Sequence, residues 1–275
     1  MSPAQQLWIE SHPYLKEVAE FQQSVTNAFA ELPFRSISVP EWNRCIDQYR
    51  DGVPLLDNSG ASLDYTLAAG EILLAGTTLL RKDTSPEPVA IAATDLAKYL
   101  EASKENRNTA VTWVQDGESP CPPQAVAGLL RVLGWRAITR ALAPVLSSYA
   151  EWRNEDNWMR GYCPVCGTLP PLAHLAPGGM QPRLLACACC HSIWHYRRIG
   201  CPFCENEDPT QLGIFTIEQE PLFRLDTCRE CNGYLKTCLG ESDLELHLSD
   251  WSTLHLDILA RQHHLKRKSS SFFEY

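Results

Sequence analysis

Four Cys-x-x-Cys pairs follow one another along the chain: Cys163-Pro-Val-Cys166, Cys187-Ala-Cys-Cys190, Cys201-Pro-Phe-Cys204 and Cys228-Arg-Glu-Cys231. A two-residue spacer lets both thiolates of a pair face one ion while the turn's backbone N–H groups point at the sulfurs. A tetrahedral ion takes two such knuckles, so four knuckles predict two four-cysteine sites. Joining neighbours in sequence sets Cys163/Cys166 with Cys187/Cys190 across 20 residues, and Cys201/Cys204 with Cys228/Cys231 across 23. A nested pairing would span 10 and 61 residues and form one site inside the other. Sequential pairing is expected because both of its gaps are hairpin-sized. Gly167 suits a positive φ just after its knuckle, and Asn232 or Gly233 can serve similarly.

All-sulfur tetrahedra accept zinc or iron, and the ligands do not choose between them. The sites are read as structural closures, with a redox or metal-relay role as the alternative. Small loop-rich units build little core, so bound metal is expected to supply most of their folding free energy. Cys187 to His191 also matches the Cys-x-x-Cys-His of covalent haem attachment, but both cysteines are needed as a knuckle. Cys189 reads as a spare thiol or substitute ligand, and Cys45, Cys121 and Cys238 as buried small apolar groups. His191 and His195 are expected to be exposed or structural. No phosphate loop, HExxH or GxSxG elbow occurs, so no catalytic or cofactor-binding residue is assigned.

The first residues lack a positive segment leading into an apolar run, and no stretch of about 18 consecutive apolar residues occurs. A cytoplasmic protein without membrane insertion is expected, its cysteines reduced or metal-bound. The net charge is −9, with 14 basic against 20 acidic residues up to Arg160 and 10 against 13 beyond it. That balance argues against nucleic acid as a partner. The basic cluster from Arg261 to Lys268 reads as a solvated helix end.

Only Cys45 and Cys121 precede Arg160, whereas ten cysteines lie between Cys163 and Cys238. Residues 1–160 are therefore expected to form a helical bundle, 161–200 and 201–240 one four-cysteine module each, and 241–275 a helix and tail. The fold class is α+β, an all-α bundle followed by two small rubredoxin-like or zinc-ribbon-like modules. Helices are predicted at about Pro13–Glu31, Pro40–Gly52, Ser62–Lys82, around Leu96–Leu100, Gln124–Tyr149 with a kink at Pro144, and Ser249–Leu265. Strands are predicted at Arg183–Ala186, Gly213–Thr216 and Leu222–Leu225. Trp113, Trp135, Trp152 and Trp158 are expected in the core.

From Gly161 onward the chain resembles the formate dehydrogenase accessory protein FdhE family. The residues that carry the likeness are Gly161-Tyr-Cys-Pro-Val-Cys-Gly167, Arg183-Leu-Leu-Ala-Cys187, Cys190-His-Ser-Ile-Trp194, Cys201-Pro-Phe-Cys-Glu-Asn206, Cys228-Arg-Glu-Cys231, Tyr234-Leu-Lys236 and Thr253-Leu-His-Leu-Asp257. The resemblance implies a non-enzymatic maturation factor with rubredoxin-like modules that bind iron and contact the catalytic subunit of a respiratory formate dehydrogenase. The knuckle tips are the expected contact points, with Phe203 and Trp194 as anchors if exposed, and Trp194 itself is expected to be buried. A zinc-ribbon nucleic-acid binder and a thiol-redox enzyme are the competing classes.

Overall fold

The structure is a computed structural model that describes residues 2–30, 32, 37–81, 87–117, 123–154, 158–178, 183–240 and 249–271. Its contacts divide the chain into two units, one of residues 9–41 and 62–152, the other of residues 2–8, 42–61 and 153–275. The expected bundle of residues 1–160 is thus interrupted, because 2–8 and 42–61 group with the cysteine-bearing half.

The first unit is helical, with α2 (Lys16–Ala30), α4 (Thr66–Leu80), α5 (Glu87–Ala102), α6 (Lys104–Asp116), α7 (Gln124–Ala141) and α8 (Ala143–Trp152). Helix α4 packs against α2, α5, α6 and α7, and it buries Ala68, Ala69, Ile72, Leu73, Gly76 and Leu80 around most of its circumference. A helix apolar on nearly all sides belongs inside a core. Gly76 allows this, since the Phe29 ring occupies the space a Cβ would fill. Ser103 separates α5 from α6 by capping the latter, its Oγ accepting the Asn106 N–H at 3.0 Å. The kink predicted at Pro144 is a break at Leu142 between α7 and α8. Trp113 and Trp135 are buried in this unit, as expected.

The second unit contains the short helix α3 (Ile46–Arg50), six strands and helix α9 (Leu254–Gln262). Residues 3–8 of helix α1 (Pro3–Ser11) also belong to it. The strands are β1 (Leu172–Leu175), β2 (Arg183–Ala186), β3 (Ile193–Tyr196), β4 (Leu212–Thr216), β5 (Phe223–Cys228) and β6 (Gly233–Leu239). They form one sheet in the order β3-β2-β1-β6-β5-β4. Each cysteine set goes with three consecutive antiparallel strands, and the halves join where β1 runs parallel to β6, Leu172 beside Lys236 and Leu175 beside Leu239. The two modules are thus halves of a continuous sheet.

Strands β1 and β6 are central and buried along nearly their whole length. They lack the alternation that marks a half-exposed strand, which is why the sequence did not reveal them. Lys236 of β6 is fully buried, with Nζ 2.8 Å from both Asp250 Oδ1 and Asp257 Oδ2. Arg267 reaches the same two carboxylates at 2.9 and 2.8 Å, and the Tyr234 hydroxyl donates to Asp257 Oδ1 at 2.6 Å. The basic cluster is therefore not wholly solvated, because Arg267 is spent tying the segment after α9 to the sheet. Among the described residues no helix is long and apolar enough to cross a membrane.

Candidate metal centres

Each knuckle closes on a backbone turn of the same shape. The Cys163 N–H donates to Thr168 O, the Cys187 N–H to Ser192 O and the Cys201 N–H to Asn206 O, all at 2.9–3.0 Å. The residue after the second cysteine then takes a positive φ in all four: Gly167 at 73°, His191 at 60°, Glu205 at 59° and Asn232 at 56°. Glycine suits this left-handed conformation best, and three side chains adopt it because the turn dictates it. His191 thus has a structural role as the closing residue of its knuckle.

The sulfurs of Cys163, Cys166, Cys187 and Cys190 lie within 4.8 Å of one another, and so do those of Cys201, Cys204, Cys228 and Cys231. This is the grouping that sequential pairing predicts. Cys163–Cys190 and Cys166–Cys187 are 3.4 Å apart, and Cys201–Cys231 and Cys204–Cys228 are 3.7 Å apart. Four sulfurs bonded at about 2.3 Å to one tetrahedral ion stand about 3.8 Å from each other, so both sets have the spacing that such an ion needs. None of the eleven described cysteines is in a disulfide, and Cys121 lies outside the described residues.

The surroundings supply donors to the sulfurs. The Val165 N–H reaches Cys163 Sγ at 3.4 Å, and the Cys189 and Cys190 N–H groups reach Cys187 Sγ at 3.3 and 3.4 Å. The Thr168 hydroxyl stands 3.2 Å from both Cys166 and Cys187, and the Asn206 amide is 3.8 Å from Cys228. Burial pushes the Cys163 and Cys190 thiols well up. Burial opposes charge at Cys187 and Cys166 too, but hydrogen bonds from neighbouring thiols outweigh it, drawing Cys187 well down and Cys166 to about 6. Four charges in so small a buried space repel, and a cation is what stabilises all of them as thiolates.

Cys189 is buried, its thiol hydrogen-bonded to Cys166 and Cys187 outside the group of four. Cys45 and Cys238 are buried, as expected of small apolar groups. Of the expected contact points, the tips divide, and Trp194 is buried as expected. Trp194 is 1% exposed, its Nε1 donating to Arg160 O at 2.9 Å, and Val165 is 0% exposed. The Leu55 and Leu56 N–H groups cover the first tip by donating to Pro164 O and Val165 O at 2.9 Å. That backbone pairing of residues 55–56 with the knuckle has no side-chain signature by which sequence could announce it. Phe203 is half-buried, while Arg229 and Glu230 are exposed.

Fold and site together define a protein with a helical unit and a second unit in which two zinc-ribbon-like halves, each with a four-cysteine set able to hold an ion, share one sheet. No family model matches the chain. It is 29% identical over 224 residues to an FdhE homolog of Pseudomonas aeruginosa (78% of this chain, 67% of that one) and 28% over 140 residues to one of Aquifex aeolicus (49% and 50%). It is 32% identical over 124 residues to protein FdhE of Escherichia coli K12, covering 44% of this chain and 40% of that one. The matches thus span between 40% and 67% of these relatives' length. The crystal structure of the FdhE protein from P. aeruginosa has the same fold, with a TM-score of 0.61, 24% identity, and coverage of 94% of this chain and 87% of that one. The chain is thus similar to FdhE proteins in sequence over these spans and shares the fold of one of them.

Proposed function

We propose that this protein is a non-enzymatic maturation factor that acts in the cytoplasm on the catalytic subunit of a respiratory formate dehydrogenase. The observation that carries this reading is the pair of four-sulfur sets, spaced for closed tetrahedral sites, in a chain similar to FdhE proteins. In it, Cys163, Cys166, Cys187 and Cys190 hold one ion and Cys201, Cys204, Cys228 and Cys231 a second, iron by the family resemblance or zinc by ligand chemistry alone. A bound ion cross-links two knuckles and fixes the strands between them. With all four positions taken by protein sulfur, no coordination site is left open for substrate, and the ligated thiolates are not free nucleophiles.

The test is genetic and biochemical together. Deleting the gene should abolish formate dehydrogenase activity while the enzyme's polypeptide still accumulates, and Cys163→Ser or Cys228→Ser should lose both complementation and co-purification of the catalytic subunit. Normal formate dehydrogenase activity in the deletion strain overturns the proposal, as does client binding by a chain stripped of both ions.

A further inference from the structure

The two cysteine sets stand on the same turns but differ in what encloses them. Of the eight knuckle residues of the first set, Cys163 to Cys166 and Cys187 to Cys190, seven are buried and Cys166 is half-buried. Of the eight of the second set, only three are buried: Cys201, Pro202 and Cys228. Phe203, Cys204 and Cys231 are half-buried, and Arg229 and Glu230 are exposed.

Backbone also locks the first set. Leu55 and Leu56 donate to the carbonyls of Pro164 and Val165 at 2.9 Å, and Pro54 Cγ lies 3.2 Å from where a Gly167 Cβ would stand. A competitor reaches those sulfurs only after this cover breaks, which leaves buried polar groups unpaired. The fourth knuckle has a backbone tie as well, from the Lys266 N–H to Asn232 O at 2.8 Å, yet Cys231 beside it stays half-buried. On the other side of the second set lies a cleft of about 250 Å³, lined by Cys201, Pro202, Phe203 and Cys228 and so touching both knuckles. With several times the ~30 Å³ of a water molecule, it has room for a small side chain.

An ion held by four sulfurs leaves a protein in one of two ways. Either the site opens locally and lets it go, or an entering thiolate binds it while it is still held. An enclosed set is limited to the first way, whereas a set bordered by open space has the second. We infer that the second set is an exchange site, whose ion passes by ligand substitution to a thiolate-bearing acceptor entering the cleft, while the first set keeps its ion. Each step forms one metal–sulfur bond to the acceptor and breaks one to Cys201, Cys204, Cys228 or Cys231. The proton that the entering thiol loses is the one that the released cysteine gains, and no electron is transferred. Exchange presupposes that both sets hold ions, as in the proposed function, but needs no client.

The test uses the full chain loaded with zinc and a synthetic acceptor peptide that carries a pair of Cys-x-x-Cys motifs. Mass spectrometry follows zinc on each partner, and timed alkylation with N-ethylmaleimide followed by peptide mapping shows which cysteines come free. One zinc should reach the acceptor in a phase whose rate keeps rising with acceptor concentration, and Cys201, Cys204, Cys228 and Cys231 should be alkylated in that phase. The other should leave at least about tenfold more slowly, at a rate independent of the acceptor, with alkylation of Cys163, Cys166, Cys187 and Cys190. Phe203→Ala, which widens the cleft, should speed the first phase severalfold and leave the second unchanged.

Loss of both ions in one phase overturns the exchange site, as does earlier alkylation of the first set or failure of the chain to hold two zinc ions. A second-set rate that levels off with acceptor concentration overturns it too, because opening of the fold would then set the release. So does a fast phase that Phe203→Ala leaves unchanged. The assay contains no client, so its outcome and that of the deletion strain, which tests the maturation-factor reading, are independent.

Discussion

Lys236→Met tests whether the buried ion cluster holds the second cysteine set in place. Lys236 is fully buried, 2.8 Å from each of two carboxylates, which Arg267 also contacts at 2.9 and 2.8 Å. Two cations on two carboxylates are balanced, whereas the substitution leaves one cation to face both in a site closed to water. Removing one member of a buried pair costs about 3–5 kcal/mol, and because Arg267 remains the lower end applies. That is a large fraction of the roughly 5–15 kcal/mol by which domains are stable. Urea unfolding of the cysteine unit with metal in excess should show this loss, and Lys236→Met/Asp250→Asn, which restores the charge balance, should recover part of it.

Acid gives a second readout of the same cluster. Burial opposes charge on Asp250, but Lys236 and Arg267 outweigh it and hold its carboxyl at about 2. A folded-state value below the unfolded one, about 3.9, means that the contribution is full above about pH 4 and is lost as pH falls toward 2. Lys236→Met should shrink that acid-dependent contribution. Stability within about 1 kcal/mol of the parent, with an unchanged acid profile, refutes the account.

Cys163→Ser or Cys187→Ser should leave one ion per chain, and Cys201→Ser or Cys228→Ser the other, by elemental analysis; two variants from different sets emptying the same site would contradict the observed grouping. Glu205→Gly should raise the stability of the second set by up to about 1 kcal/mol, since Glu205 sits at a φ of 59°, and calorimetry of the metal-loaded chain reads it. A strong chelator should abolish near-ultraviolet circular dichroism from the cysteine unit while the helical signal persists, because the helical unit has its own core.

The metal sets were legible because chelation is a local matter of spacing: two residues between thiols and hairpin-sized gaps between knuckles leave few arrangements. The break at Pro144 and the positive φ at Gly167 and Asn232 were legible for the same reason, each being dictated within a few residues. What escaped depends on distant partners. Strands β1 and β6 carry His174 and Lys236, which look like surface residues until His174 Nε2 is seen 2.8 Å from Gly240 O and Lys236 is seen between two aspartates. Ser103 was missed as a helix start although its cap is local, because the apolar face was read only around Leu96–Leu100 and the first six residues of α6, Lys104 to Thr109, include no apolar side chain to announce a second helix. The arginines of the cleft, at 183, 198 and 224, are scattered in sequence and meet only when β2 and β5 enter one sheet.

The two cysteine sets are built alike and covered differently. At the first, Pro164 O and Val165 O are taken by Leu55 and Leu56, and Trp194 lies inside. A partner that displaced this cover would leave buried backbone groups unpaired, at about 1–3 kcal/mol each. At the second, Arg229 and Glu230 are exposed and the cleft adjoins Cys201 and Cys228. Yet the first half supports the second directly: the Tyr196 hydroxyl donates to Cys201 O at 3.1 Å, Arg183 of β2 pairs with Asp226 of β5 at 3.2 Å, and β1 is bonded to β6. In the proposed function, an ion at the first set therefore acts on a client through the sheet, by holding β2 and β3 where they brace Cys201 and Asp226. Ligand substitutions at the first set should then weaken the second ion without emptying its site, whereas substitutions on the cleft rim should leave both ions bound.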